Sequence, residues 1–102
     1  MRAAKRDRNE KPIIDYWKSC GCIWIPMQPG QGFDGLLIDS TGLYIVEIKN
    51  AEYKWQLTTD EAQLKAEVES MGQKYYVIQS LDEAAKLIGM DMIWDASVKV
   101  QG

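Results

Sequence analysis

The chain has 102 residues, 46% of them hydrophobic and 26% charged, with a formal net charge of −3. That is one domain with enough apolar material for a single core, and the charge excludes a protein coated in basic surface for nucleic acid, though not a local basic patch. No apolar run approaches the roughly 20 residues of a membrane span, and the first residues lack the apolar stretch of a secretory signal, so a soluble, cytoplasmic protein without a membrane partner is expected.

The first eleven residues carry Arg2, Lys5, Arg6, Arg8 and Lys11 against Asp7 and Glu10. Residues 1–8 read either as a solubilising terminus or as a basic arm that contacts DNA. Asn9 can cap a helix, Pro12 fits its first turn, and Ile13, Ile14 and Trp17 keep helical spacing to about Cys20, where Gly21 suits the end. Glu10, in the first turn, favours the positive end of that helix.

Residues 22–27 are β-branched and aromatic and read as a short strand, stopped by Pro26 and Pro29. Residues 28–32 form a glycine-containing loop, and such a loop lets a phosphate backbone approach closely. Residues 32–49 read as two strands with a break at Ser40-Thr41-Gly42, where Gly42 can supply a positive φ. Residues 50–56 read as a loop or tip, with Lys54 and Trp55 as candidates for contact with nucleic acid; core anchoring explains Trp55 equally well.

Thr58-x-x-Glu61 has the pattern of a capping box, opening a helix to about Met71 with Leu64, Val68 and Met71 as its apolar stripe. Gln63 lies at the border of that stripe. Residues 75–79 read as an apolar strand, and Ser80-x-x-Glu83 opens a last helix that ends before Gly89. The tail, residues 90–102, holds Ile93, Trp94, Val98 and Val100 and is too apolar to hang free; an edge strand or a contact with a partner subunit would use it. The order helix-strand-strand-strand-helix-strand-helix predicts an α/β fold, a mixed sheet flanked by helices, with the last strand parallel to an earlier one.

The chemistry concentrates in the hairpin. Along its second strand Tyr44, Val46 and Ile48 point one way and Leu43, Ile45, Glu47 and Lys49 the other. Asp34 starts the preceding strand, and in an antiparallel pair that start lies beside the end of the next. Two carboxylates and a lysine therefore converge. Close carboxylates repel unless a cation sits between them, and hard oxygen ligands suit Mg²⁺ or Mn²⁺. A lysine beside such a metal can hold water or meet phosphate, which is one way to hydrolyse a phosphodiester. The chain has no His, which removes Ser-His and Cys-His nucleophile pairs, and its two cysteines, Cys20 and Cys22, fall short of a zinc site and read as reduced thiols.

The run Gly32-Phe33-Asp34-Gly35, Glu47-Ile48-Lys49, Leu57-Thr58 with Gln63, and the strand at 75–79 with its Ser80 cap resembles the PD-(D/E)xK nuclease superfamily. Within it, the chain is similar to the virus-type replication-repair nuclease (VRR-NUC) domain, especially small stand-alone members found in phages. Phe33 stands where the superfamily's name has proline; that position shapes a turn and supplies no ligand. The resemblance implies a restriction-endonuclease-like core and a metal-dependent DNA endonuclease. In that reading Asp34, Glu47 and the Ile48 carbonyl hold the metal, Lys49 positions or activates water, Gln63 supports the site, and Glu10 matches the family's N-terminal acid. It also implies a homodimer acting on branched DNA such as Holliday junctions. The readings from other classes are a nucleic-acid-binding module without catalysis on the same fold, and an interaction protein whose hairpin charges are only surface.

Overall fold

The computed structural model describes residues 10–49 and 54–90. It is a small α/β fold of three helices and one four-stranded sheet, in the order α1 (Glu10–Ser19), β1 (Ile23–Pro26), β2 (Gly35–Asp39), β3 (Gly42–Ile48), α2 (Thr59–Ser70), β4 (Tyr75–Ile78) and α3 (Leu81–Leu87). The expected basic arm with Arg2, Lys5, Arg6 and Arg8, and the tail beyond Met90, lie outside the described residues. No described helix is long and apolar enough to cross a membrane.

The strands lie in chain order, β1 and β2 antiparallel, β2 and β3 antiparallel, and β3 and β4 parallel. The parallel step needs a crossover, and α2 supplies it. Alternation along the strands separates two faces. Leu37, Val46, Ile48 and Ile78 point to the core, where they meet Ile13 and Trp17 of α1 and Ala84 of α3. Trp17 is fully buried, stacks on Trp24 with ring centroids 5.6 Å apart, and donates its indole N–H to the Ala84 carbonyl at 2.9 Å. One side chain thus joins α1, β1 and α3, and its polar atom is satisfied.

The helix ends follow local rules. Gly21 takes φ +90° after α1, with Cys22 N–H on the Trp17 carbonyl and Gly21 N–H on the Lys18 carbonyl, the Schellman arrangement. Thr58 and Glu61 form the capping box of α2, and Ser80 accepts from Glu83 N–H ahead of α3. Two local expectations fail. The β2–β3 turn does not use a positive φ at Gly42. Instead Asp39 Oδ1 accepts from Thr41 N–H, Thr41 Oγ1 and Gly42 N–H at 2.8, 2.7 and 3.0 Å, so a side chain closes the turn. Met71 is not part of a buried stripe. It is the C-cap of α2 and 80% exposed, and α2 buries none of its residues fully.

Candidate functional site

The hairpin register builds the site. Gly35 pairs with Val46, so Asp34 falls just beyond the pair, beside the end of β3. Asp34 N–H donates to the Val46 carbonyl at 2.9 Å, and Asp34 Oδ2 accepts from Ile48 N–H at 2.7 Å. Backbone and side chain together therefore fix the carboxylate against β3. Met27 N–H donates to the Asp34 carbonyl at 2.9 Å, which ties the loop after β1 to the same spot. Glu47 lies on the face opposite the core and is nonetheless only 5% exposed.

Its cover comes from α2. The Leu64 side chain lies close over Gly32, where an added Cβ would be 3.1 Å from Leu64 Cδ2, and the Tyr75 hydroxyl donates to the Gly32 carbonyl at 2.6 Å. These contacts bring the first turn of α2 over the end of β3. There Lys49 Nζ sits between two carboxylates, 2.8 Å from Glu61 Oε1 and 3.4 Å from Glu47 Oε2. Glu61 Oε1 also accepts from Thr58 N–H at 2.9 Å. A single oxygen thus serves both the helix cap and the lysine.

Electrostatics follow from this burial. Loss of water, then the Asp34 charge and the proximity of Glu61, push the Glu47 carboxyl up to about 9; the Lys49 ammonium offsets this only in part. A protonated Glu47 donates toward Glu61. Burial alone would raise Glu61, yet hydrogen bonds from Lys49 and Thr58 hold it below its ordinary value. Burial likewise acts to depress Lys49, but its bond to Glu61 and the charges of both glutamates keep it above the ordinary lysine value. Burial, then the charges of Glu47, Glu61 and Asp34, raise the Tyr75 hydroxyl.

Asp34, Glu47, Ile48 and Glu61 line a cavity of about 260 Å³, closed on the other side by the loop from Met27 to Phe33 and by Glu10 at the start of α1. Lys49 does not line it; its ammonium stands behind the carboxylates. The donor set fits a hard divalent cation: Asp34, Glu47 and the Ile48 carbonyl are all oxygen ligands, and a buried carboxyl held protonated by its neighbours is relieved by positive charge. Among the described residues no group of three or more acidic or cysteine side chains is placed to hold a metal ion. An ion held here would complete its shell with water and substrate oxygens, the usual habit of Mg²⁺.

The structure brings Asp34, Glu47, Ile48, Lys49 and Glu10 to this one end of the sheet. It does not bring Gln63 there. Gln63 is exposed and donates to Glu67 of its own helix at 3.3 Å. Two residues of α-helix turn the chain through about 200°, so when Glu61 faces the site Gln63 cannot. Lys54 is exposed on the segment before α2. Lys11 is exposed, is paired with Asp15 at 2.6 Å, and lines a second groove that it shares with Glu10 and Asp34. Glu61 is the residue that sequence reasoning passed over, because the capping box accounts for it completely. The signal that could have found it is position: the first turn of the crossover helix lands at the end of the strand that carries Glu47. Comparison with known protein families, with curated proteins and with solved structures finds no match for this chain.

Proposed function

We propose that this chain is a divalent-metal-dependent endonuclease that hydrolyses DNA phosphodiester bonds, built on a restriction-endonuclease-like core of the VRR-NUC kind. The branched-DNA substrate, such as a Holliday junction, and the homodimer are part of the same reading and rest on the sequence resemblance. The observation that carries the reading is that Asp34, Glu47 and Glu61 line one cavity while Lys49 contacts Glu47 and Glu61 from behind it. A buried, mutually repelling acid pair is destabilising for a fold that gains nothing from it. A site that takes up a cation gives the pair a use.

Mg²⁺ or Mn²⁺, when bound, supplies Lewis-acid polarisation of the phosphate and a water of lowered pKa. The chain's own residues do the rest. Asp34, fixed by Ile48 N–H, and Glu47 would hold the ion with the Ile48 carbonyl. Lys49, held above its ordinary value, is a cation and donor that can orient water or meet the developing phosphoryl charge. Glu61 grips Lys49 from the helix cap and sets where the ammonium stands.

The test is cleavage of a labelled four-way junction, a flap and a plain duplex with Mg²⁺, Mn²⁺ or EDTA, beside Lys49→Ala. Metal-dependent cutting that disappears in the variant, with its fold intact by circular dichroism, supports the reading. Full activity in Lys49→Ala removes the lysine from the mechanism. Binding of DNA without cutting, under all metals, makes the chain a nucleic-acid-binding module instead.

A further inference from the structure

The loop that closes the carboxylate cavity carries donors that the fold does not use. It is pinned at both ends, with Met27 N–H on the Asp34 carbonyl and Asp34 N–H on the Val46 carbonyl, each at 2.9 Å. Between these points Pro29 has no N–H, and the N–H groups of Gly30, Gln31, Gly32 and Phe33 donate to no described residue. Gly30 and Gln31 are exposed, so water serves them. Gly32 is buried and Phe33 half-buried. A buried N–H without a protein acceptor is uncommon, because nothing offsets the loss of its water. Both residues line the cavity that Asp34 and Glu47 also line.

The backbone of the loop gives these donors a direction. Gly30 has φ +91° and Gly32 φ +89°, and among the described residues only glycines have a positive φ. The sign of φ therefore alternates from Pro29 to Phe33, as it does in the nests whose successive N–H groups bind anions. One peptide is also held from outside the loop. The buried Tyr75 hydroxyl donates to the Gly32 carbonyl at 2.6 Å, and Leu64 packs over the same glycine. Neither Tyr75 nor Leu64 lines the cavity. In a trans peptide the carbonyl and the following N–H point in opposite directions. A Gly32 carbonyl held toward Tyr75 thus turns Phe33 N–H away from it, to the side where the loop borders the cavity.

Donors on one wall and carboxyl groups on the other suit one kind of ligand. A divalent cation takes the carboxyl oxygens, and a phosphate takes both the cation and the N–H groups. We propose that the N–H groups of Gly32 and Phe33 cradle a phosphate group of a nucleic-acid backbone beside the metal, and that Tyr75 is the positioning residue that sets the cradle through the Gly32 carbonyl. That the phosphate belongs to DNA rests on the nuclease reading; the cradle rests on the loop. Neutral donors suit this place. A lysine here would pair with Glu10, Asp34 or Glu61, whereas backbone N–H groups stay where the loop puts them. The same acidic groups repel an anion until a cation is bound, so phosphate and metal enter together.

The experiment is an amide NMR titration of the full chain with thymidine 3′,5′-bisphosphate in Mg²⁺, for the wild type and Tyr75→Phe. Inorganic phosphate is the comparator, and calorimetry follows Mg²⁺ alone. The bisphosphate offers nucleotide phosphates and no diester to cut. Phenylalanine keeps the ring of a residue that is 5% exposed. In the wild type the Gly32 and Phe33 amide protons should move downfield, among the largest shifts. Tyr75→Phe should bind the bisphosphate about fivefold more weakly, the worth of roughly one hydrogen bond, with its Mg²⁺ affinity unchanged. A tyrosine that only stabilises the fold would not separate the two affinities. Wild-type Gly32 and Phe33 amides that stay still would overturn the cradle, whether or not the variant folds. Equal bisphosphate affinity in a folded Tyr75→Phe would overturn the role of Tyr75, and equal shifts from inorganic phosphate would overturn the nucleic-acid assignment. Failure of the nuclease reading looks different: the two amides respond to the bisphosphate, and no DNA is cut with any metal.

Discussion

Replacing Glu47 with Gln isolates the electrostatic cost of the site in the metal-free protein. The carboxyl is 5% exposed and is pushed up to about 9 from its ordinary value of 4.5. Its folded value is raised, so the folded state holds a proton that the unfolded chain has released throughout the interval between those two values. Stability from this group is full below about pH 4.5 and is lost as pH rises toward 9. One proton taken up on folding gives a slope of about 1.4 kcal/mol per pH unit. Between pH 5.5 and 7.5 the metal-free wild type should therefore lose about 3 kcal/mol. The chain has no His to titrate in this window, and the other groups that titrate there are shared by the wild type and the variant. Glu61, held low, loses its contribution only below its unfolded value, and Lys49, held high, only in strong alkali. Glu47→Gln keeps the shape and removes the ionisation. Urea denaturation of both proteins in EDTA at the two pH values reads the difference, and the variant should show a clearly flatter profile. Adding Mg²⁺ or Mn²⁺ at pH 7.5 should restore stability to the wild type and much less to the variant. Equal pH slopes in the two proteins would refute the buried, protonated Glu47.

Other variants probe the remaining parts. Asp34→Asn removes a charged oxygen ligand while keeping an acceptor for Ile48 N–H, so calorimetry should show divalent-metal affinity falling at least about tenfold, or about 1.4 kcal/mol; unchanged affinity would remove Asp34 from the ligand set. Glu61→Ala should reduce DNA cleavage far more than Gln63→Ala, because Glu61 holds Lys49 whereas Gln63 bonds only along its own exposed face; the reverse order in a cleavage assay would restore Gln63 to the site. Gly35→Ala should destabilise by about 1–3 kcal/mol in urea denaturation, since the new Cβ would collide with the Trp24 ring and sit 2.7 Å from the Ile25 carbonyl oxygen. A neutral result would mean that Trp24 shifts freely off its stack with Trp17.

What the sequence determined by itself is whatever short-range rules control. Caps, glycine stops and the periods of 3.6 and 2 specify the order of elements, because they depend on neighbours a few residues apart. The same alternation puts Glu47 and Lys49 on one side of β3, and antiparallel pairing across a tight turn brings Asp34 to them. The tertiary structure decided what depends on surfaces meeting. The rotation of α2 about its axis is set by Leu64 packing over Gly32, and it selects Glu61 rather than Gln63 as the partner of Lys49. The depth of Glu47, and with it the displacement of its carboxyl to about 9, requires α2 above it and the 27–33 loop beside it. Met71 has the spacing of a core residue and lacks the core, being the C-cap of α2 and 80% exposed. Periodicity tells a helix which of its residues share a side; only the partner surface fixes which side is buried.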